Sequence, residues 1–199
     1  MKIEPPTFPS LPIILVTGVP GSGKSTVSRI LAEKLGGEVI EVNLFAIERG
    51  LVVGADEDRG VQILDIDGLR TALRRELSER GGWVIVSTTY PEAVPADLVS
   101  FIVVLRCDPE VLAERLLSRK YEKSKVIENL EAEIVDFCGT SARYHLPGKP
   151  LLEVDTSRIS PEEVACEILE AIRKGVVQSP PIRWPRGPLV IQRLRARDP

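Results

Sequence analysis

Eight consecutive residues constrain this chain more than any others: Gly18-Val19-Pro20-Gly21-Ser22-Gly23-Lys24-Ser25. They match the pattern G-x-x-x-x-G-K-[S/T]. They follow a continuous apolar, β-rich run, Leu11–Thr17, and precede a helical pattern from about Lys24 to Leu35. A strand, a glycine turn and a helix in that order give a loop whose backbone N–H groups converge on one anion. The helix adds the positive end of its dipole at the same point.

The residue types assign the contacts. Gly18, Gly21 and Gly23 let the chain turn tightly, and Pro20 and Ser22 complete the loop. The Lys24 ammonium is placed for the β- and γ-phosphates, and Thr26 for the α-phosphate. The Ser25 hydroxyl is a hard oxygen ligand suited to Mg²⁺. Nucleoside triphosphate binding, with ATP·Mg²⁺ as the expected form, follows from the loop. Hydrolysis, phosphoryl transfer and switching all use such a loop, so it does not choose among them.

Strand and helix patterns alternate along most of the chain. Strands are predicted at Leu11–Thr17, Glu38–Val42, Trp83–Val86, Phe101–Leu105 and Leu151–Val154. Helices are predicted over about 24–35, from Asn43 as an N-cap to about Arg49, from Asp67 as a cap to about Arg80, and from Pro109 through Arg119. Two more are predicted over roughly 123–138 and from Ser160-Pro161-Glu162-Glu163 to about Lys174. The segment from Gly50 to Gly60 reads as an acidic loop. This alternation predicts a three-layer α/β domain over 1–176, with a central five-stranded parallel sheet and helices on both faces.

Beyond Gly175 the composition changes. Residues 177–199 are rich in proline and carry Arg183, Arg186, Arg193, Arg195 and Arg197 against the single acid Asp198, which predicts a flexible tail. Trp184 is a candidate stacking residue for rRNA or a protein partner; the alternative is a tail that touches only its own domain.

Composition narrows the function classes. A net charge of −3 argues against a protein that coats nucleic acid with overall positive charge. The longest apolar runs are far too short to cross a bilayer. Lys2, Glu4 and the early prolines do not read as a signal peptide, so a cytoplasmic protein without membrane contact is expected. Cys107, Cys138 and Cys166 have no paired spacing and His145 stands alone, so no zinc site or disulfide framework is expected. Few Asn and Gln with many Arg follows the thermophile trend.

Several stretches further along resemble one family. Asp56-Glu57-Asp58 with Ile63-Leu64-Asp65-Ile66-Asp67, the strand end Phe101–Asp108, and Glu114–Tyr121 followed by Glu128–Ile134 are similar to motifs of the adenylate kinase isoenzyme 6 family. The resemblance spans about residues 11–174. It implies a P-loop nucleoside monophosphate (NMP) kinase-like core with two mobile pieces: an NMP-binding segment at about 40–67 and a short lid over ATP at about 118–130. It implies phosphoryl transfer from ATP to AMP or a related monophosphate, giving ADP, with ATPase activity. It also implies a role in small ribosomal subunit maturation through a small-subunit ribosomal protein and rRNA. A monomer is expected.

Arg115 and Arg119 lie four apart on one helical face, where guanidinium groups suit spread phosphate oxygens. Arg119 aligns with the family's lid arginine, and Lys24, Arg119 and Arg115 are the catalytic candidates. The competing reading of both arginines is a solvated charged face. Asn43, Arg49, Asp65 and Asp67 are candidates for framing the monophosphate, and Asp67 is otherwise simply a helix cap.

The chain departs from the family at four places. The family's Asp-x-His after the third core strand is Ser87-Thr88-Thr89 here. Its glycine in the lid is Lys120, and an arginine expected in the monophosphate helix falls on Ile47, with Arg49 two residues on. The Asp normally holds the water shell of Mg²⁺, and a hydroxyl is a weaker, neutral partner. Asp65 or Asp108 is the candidate compensating acid. An ATP-gated assembly factor with slow turnover is therefore the alternative to a kinase.

Overall fold

The computed structural model describes residues 12–56, 61–175 and 178–196. Strand β1 (Ile13–Thr17) is buried along its whole length. Its residues divide between two cores: Ile13 and Leu15 face one, Ile14 and Val16 the other. That division explains the unbroken apolar run, because a strand covered on both faces has no polar side. Around it lie β2 (Glu38–Glu41), β5 (Val84–Thr88), β6 (Val99–Arg106) and β7 (Leu151–Asp155). The sheet order is β2-β5-β1-β6-β7, and every pairing in it is parallel.

Helices α1 (Lys24–Leu35) and α7 (Pro161–Arg173) supply Val27, Leu31, Ile168 and Ile172 to one core. Helices α2 (Val42–Glu48), α3 (Ile66–Ser78) and α6 (Phe137–His145) supply Phe45, Leu69, Leu73 and Ala142 to the other. The three-layer arrangement and the five-stranded parallel sheet agree with the sequence. Helix α7 starts as its sequence requires. The Ser160 side chain accepts from the Glu163 N–H, and the Glu163 carboxylate accepts from the Ser160 N–H.

Five local expectations are corrected. The stretch read as a loop forms an antiparallel pair, β3 (Val52–Asp56) with β4 (Val61–Leu64); Glu57 and Asp58 lie outside the described residues. Glu41, not Asn43, occupies the N-cap of α2, and Asn43 lies inside the helix. Asp65, not Asp67, caps α3: its carboxylate accepts from the Gly68 N–H at 3.0 Å. The helix expected over 123–138 ends at Ile134 as α5 (Lys123–Ile134), because Asp136 takes a left-handed conformation, φ 54°, and α6 begins at Phe137.

The last correction is the tail. Gln178 bridges to Leu151 beside the edge strand β7. Helix α8 (Gly187–Ala196) then packs on α5 and on α4 (Pro109–Ser118), burying Val190 and Ile191 among Leu112, Leu116 and Leu130. The Trp184 indole N–H donates to Glu133 at 2.8 Å, so this ring is engaged by its own domain. Arg106 lies beneath, 1% exposed, and donates to Glu133, to Glu153 and to the Ile182 carbonyl. A charge this deep persists because carboxylates and a carbonyl satisfy it.

Candidate active site

The phosphate loop is shaped by close backbone approach. A Cβ on Gly18 would sit 2.5 Å from the Leu105 carbonyl oxygen, and one on Gly21 would meet Leu112 of α4 at 2.8 Å. Gly23 caps α1 in a left-handed conformation with no side-chain hydrogen bond to the first turn. The N–H groups there therefore have no capping oxygen from a side chain. The Ser22 hydroxyl is buried without a partner among the described residues. An anion in the loop would satisfy these donors together.

Lys24 folds back under the loop, its Nζ donating to the Val19 carbonyl at 3.1 Å. Burial of the ammonium pushes its pKa down to about 8, and the nearby Arg119 charge acts in the same direction. Two cations close enough to act on each other favour an anionic ligand near them. Ser25 Oγ donates to the Glu41 carboxylate at 2.9 Å, and Glu41 also takes an ion pair from Arg29 at 3.2 Å. The Ser25 hydroxyl and this carboxylate are hard oxygen donors side by side, and they fit a Mg²⁺ ion with its water shell.

Above the loop lies a cleft of about 290 Å³, lined among others by Gly23, Thr26, Arg115, Arg119, Thr156 and Ile159. Arg119 is the C-cap of α4 and points into this cleft, with no ion-pair partner among the described residues. Arg115, one turn earlier, is already occupied. Its guanidinium donates to the Thr156 carbonyl at 2.6 Å and to the Thr156 hydroxyl at 3.2 Å, strapping α4 to the loop between β7 and α7. So Thr26, Arg115 and Arg119 line one cleft, and Lys24 and Ser25 adjoin it on the loop, with their side chains turned to the Val19 carbonyl and to Glu41.

The monophosphate candidates do not converge in the same way. Arg49, at the end of α2, donates to Glu76 at 2.5 Å and lies 5.0 Å over the Phe45 ring. Asn43 is exposed on α2. Asp65 is used as a cap, and Asp67 is 92% exposed beside Arg70. Asp108 likewise caps α4, accepting from the Glu110 N–H at 2.8 Å. Neither Asp65 nor Asp108 is placed at Ser25; the acid there is Glu41, which the sequence did not single out. The signal was its position as the last residue of a strand, because strand ends open onto the ligand crevice in parallel sheets.

A family model described as an AAA domain matches residues 14–136. A Thermococcus kodakarensis protein named "Putative adenylate kinase" is 42% identical, over 82% of this chain and 87% of its own length. A Methanocaldococcus jannaschii protein of the same name is 36% identical, over 82% of this chain and 90% of its own. The chain belongs to this archaeal adenylate kinase-like family. Solved structures agree on the fold. A shikimate kinase from Acinetobacter baumannii superposes with a TM-score of 0.60 at 18% identity, covering 84% of this chain and 96% of that one. A gluconokinase from Sinorhizobium meliloti gives 0.53 at 24%, covering 85% and 94%. The fold is that of the P-loop kinases.

Within this family the departures acquire positions. Ser87 and Thr88 are the buried last residues of β5. The Thr88 hydroxyl accepts from the Tyr90 N–H at 2.9 Å, which turns the chain out of the sheet. Lys120, where the sequence resemblance expects glycine, takes φ 60°, a conformation that strains a residue with a Cβ. Ile47 is half exposed on α2. Among the described residues no cluster of His, Cys, Asp and Glu is arranged as a metal cage, and no helix is long and apolar enough to cross a membrane.

Proposed function

We propose that this protein is an ATP-dependent nucleoside monophosphate kinase that moves the γ-phosphoryl group of ATP to AMP or a related monophosphate. The observation that carries the reading is Arg119 in the cleft beside the uncapped N-terminus of α1, near enough for its charge to act on the Lys24 ammonium. Phosphoryl transfer asks the protein mainly for positioning and for charge stabilisation, and this set supplies both. The loop N–H groups and Lys24 hold the β- and γ-oxygens. Arg119, on the α4–α5 connection, is the mobile cation that closes over the transferring group. Arg115 holds α4 in register with the loop. Mg²⁺, bound through Ser25, supplies charge neutralisation across the β- and γ-phosphates. The acceptor segment is 40–67, with Asn43, Arg49, Asp65 and Asp67 framing the monophosphate after rearrangement of α2 and the β3–β4 pair.

The relatives' name supports the acceptor class. A coupled assay following ADP with ATP and Mg²⁺, with and without AMP, tests it. The rate should depend on AMP and vanish in Lys24→Ala.

One observation favours a second reading. Ser87 and Thr89 are neutral where the family resemblance places Asp and His, so neither position supplies an acid or a base. Under this reading the protein is a slow ATPase whose nucleotide state gates a step in small ribosomal subunit maturation, read by a ribosomal protein or rRNA. ADP formation indifferent to AMP would favour it.

A further inference from the structure

A phosphate-loop serine usually shares its Mg²⁺ with an acid at the end of a neighbouring strand. In this chain the next-to-last residue of that strand is Ser87. We propose that Glu41, one strand further out, supplies the missing carboxylate and orients Ser25 and the water shell of the nucleotide-bound Mg²⁺. The proposal rests on the nucleotide-binding part of the reading above and not on the identity of the acceptor.

The sheet itself relocates the charge. Strands β2 and β5 are parallel neighbours, and Glu41 is the register partner of Ser87. Register partners project to the same side of a sheet, and residues two apart share a face. Val39 and Ile85 pack in the core covered by α1. Glu41 and Ser87, two residues on, therefore project to the α1 side, where Ser25 begins its helix. The acid is thus moved by one strand spacing, roughly 4.8 Å, along the same sheet edge.

The carboxylate is engaged as such a role requires. Ser25 Oγ donates its proton to Glu41 Oε2 at 2.9 Å. This leaves the hydroxyl lone pairs for a cation and fixes their direction. Glu41 stands at the N-cap of α2, where an acid would normally accept from the helix N–H groups, yet its side chain makes no such bond. It reaches Ser25 instead. Arg29 touches the other oxygen at 3.2 Å, an ion pair whose arginine is 71% exposed. That pair is too exposed to explain the carboxylate's place. The other candidate acids are committed elsewhere: Asp65 and Asp108 to helix caps, Asp67 to solvent. Glu41 is in this account a positioning residue.

The test compares the affinity of a non-hydrolysable ATP analogue with Mg²⁺ and with EDTA, by calorimetry, on the full chain. Electron paramagnetic resonance of Mn²⁺ added with the analogue reports the metal environment directly. Glu41→Gln should reduce the Mg²⁺-dependent gain in affinity by about 10-fold or more, the usual size of a lost outer-sphere partner. Its affinity in EDTA should stay within about twofold, and its Mn²⁺ spectrum should change. Glu41→Gln with Ser87→Asp, which moves the acid back to β5, should restore the gain. Arg29→Ala should leave it intact. Equal Mg²⁺ dependence in wild type and Glu41→Gln overturns the proposal, and so does Arg29→Ala matching Glu41→Gln, which would make Glu41 only an ion-pair partner. Should wild type bind the analogue but fail to phosphorylate AMP, the kinase reading falls and this proposal is still decided by the metal dependence.

Discussion

The phosphate loop and the segment proposed to hold the acceptor are built differently. On the donor side, backbone packing sets the geometry. Gly18 and Gly21 press against the β6 backbone and α4, and Arg106 braces the floor through Glu133 and Glu153. In the proposed acceptor segment, α2 and the β3–β4 pair carry Leu44, Ile47, Val53 and Ile63 half exposed, and Arg49, Asp65 and Asp67 are held in a cap and local ion pairs. The contrast teaches where preorganisation lies. The phosphate loop is already shaped for an anion, whereas an acceptor bound at the proposed segment would displace existing contacts. That division suits a kinase whose acceptor segment closes only after ATP is seated.

Four substitutions and one titration sharpen or break the contrast. The largest effect belongs to the donor side. Lys24→Ala should lower ADP formation about 10³-fold, roughly 4 kcal/mol of transition-state stabilisation, while the melting temperature stays near wild type. Loss of folding instead of activity would show that the loop is held by Lys24 rather than by its glycines. Next, Arg106→Met should cost about 3 kcal/mol or more of stability in denaturant unfolding, because it leaves buried Glu133 without its cation and Glu153 with Arg143 alone. Burial already pushes the Glu133 carboxyl upward, so part of that loss should be recovered on acidification. A mild effect would mean that α8 and its approach detach at little cost.

The pH dependence comes third. The folded, nucleotide-free protein holds the Lys24 pKa near 8, against 10.5 for the ordinary group. Below pH 8 both folded and unfolded chains carry the proton, so this group adds no slope. Between about 8 and 10.5 the unfolded chain binds more protons, and the Lys24 contribution to stability rises with pH. Nucleotide binding runs the other way. Phosphates favour the ammonium, so ATP binding above about pH 8 should take up a proton and weaken as pH rises. Calorimetry in buffers of different ionisation enthalpy reads that proton, and identical heats would refute the buried ammonium.

The two smallest effects separate strain from surface. Lys120→Gly should raise stability by up to about 1 kcal/mol by relieving the left-handed backbone, read as a shift in denaturant midpoint. On the acceptor side, Asp67→Asn should change stability by no more than about 0.5 kcal/mol, since the residue is almost wholly exposed and does not cap α3. A larger loss would restore Asp67 as a structural acid.

How far these regions were legible follows the same physics. The donor loop was readable because local sequence dictates it: glycine spacing, the preceding strand and the following helix are contiguous. The α3 cap was misplaced by two residues because Asp65 and Asp67 are both good caps, and only the Gly68 N–H decides between them. The β3–β4 pair was hidden by Gly54 and the acidic stretch after it, whose composition reads as loop while cross-strand pairing makes strand. The docked C-terminal segment was hidden because its prolines and arginines dominate the composition, while Trp184, Val190 and Ile191 make the contacts. Glu41 was out of reach for a different reason. Its partner Ser25 lies 16 residues away, and its meaning depends on β2 lying beside β5, a fact of sheet order and not of sequence.

The most direct test of phosphoryl transfer across this cleft follows the group itself. ATP labelled at the γ-phosphate is incubated with Mg²⁺, AMP and the protein, and the label is traced by chromatography. Label appearing in ADP, dependent on AMP and absent in Lys24→Ala, is the result predicted here. Label appearing only as inorganic phosphate, at a rate indifferent to AMP, would contradict it.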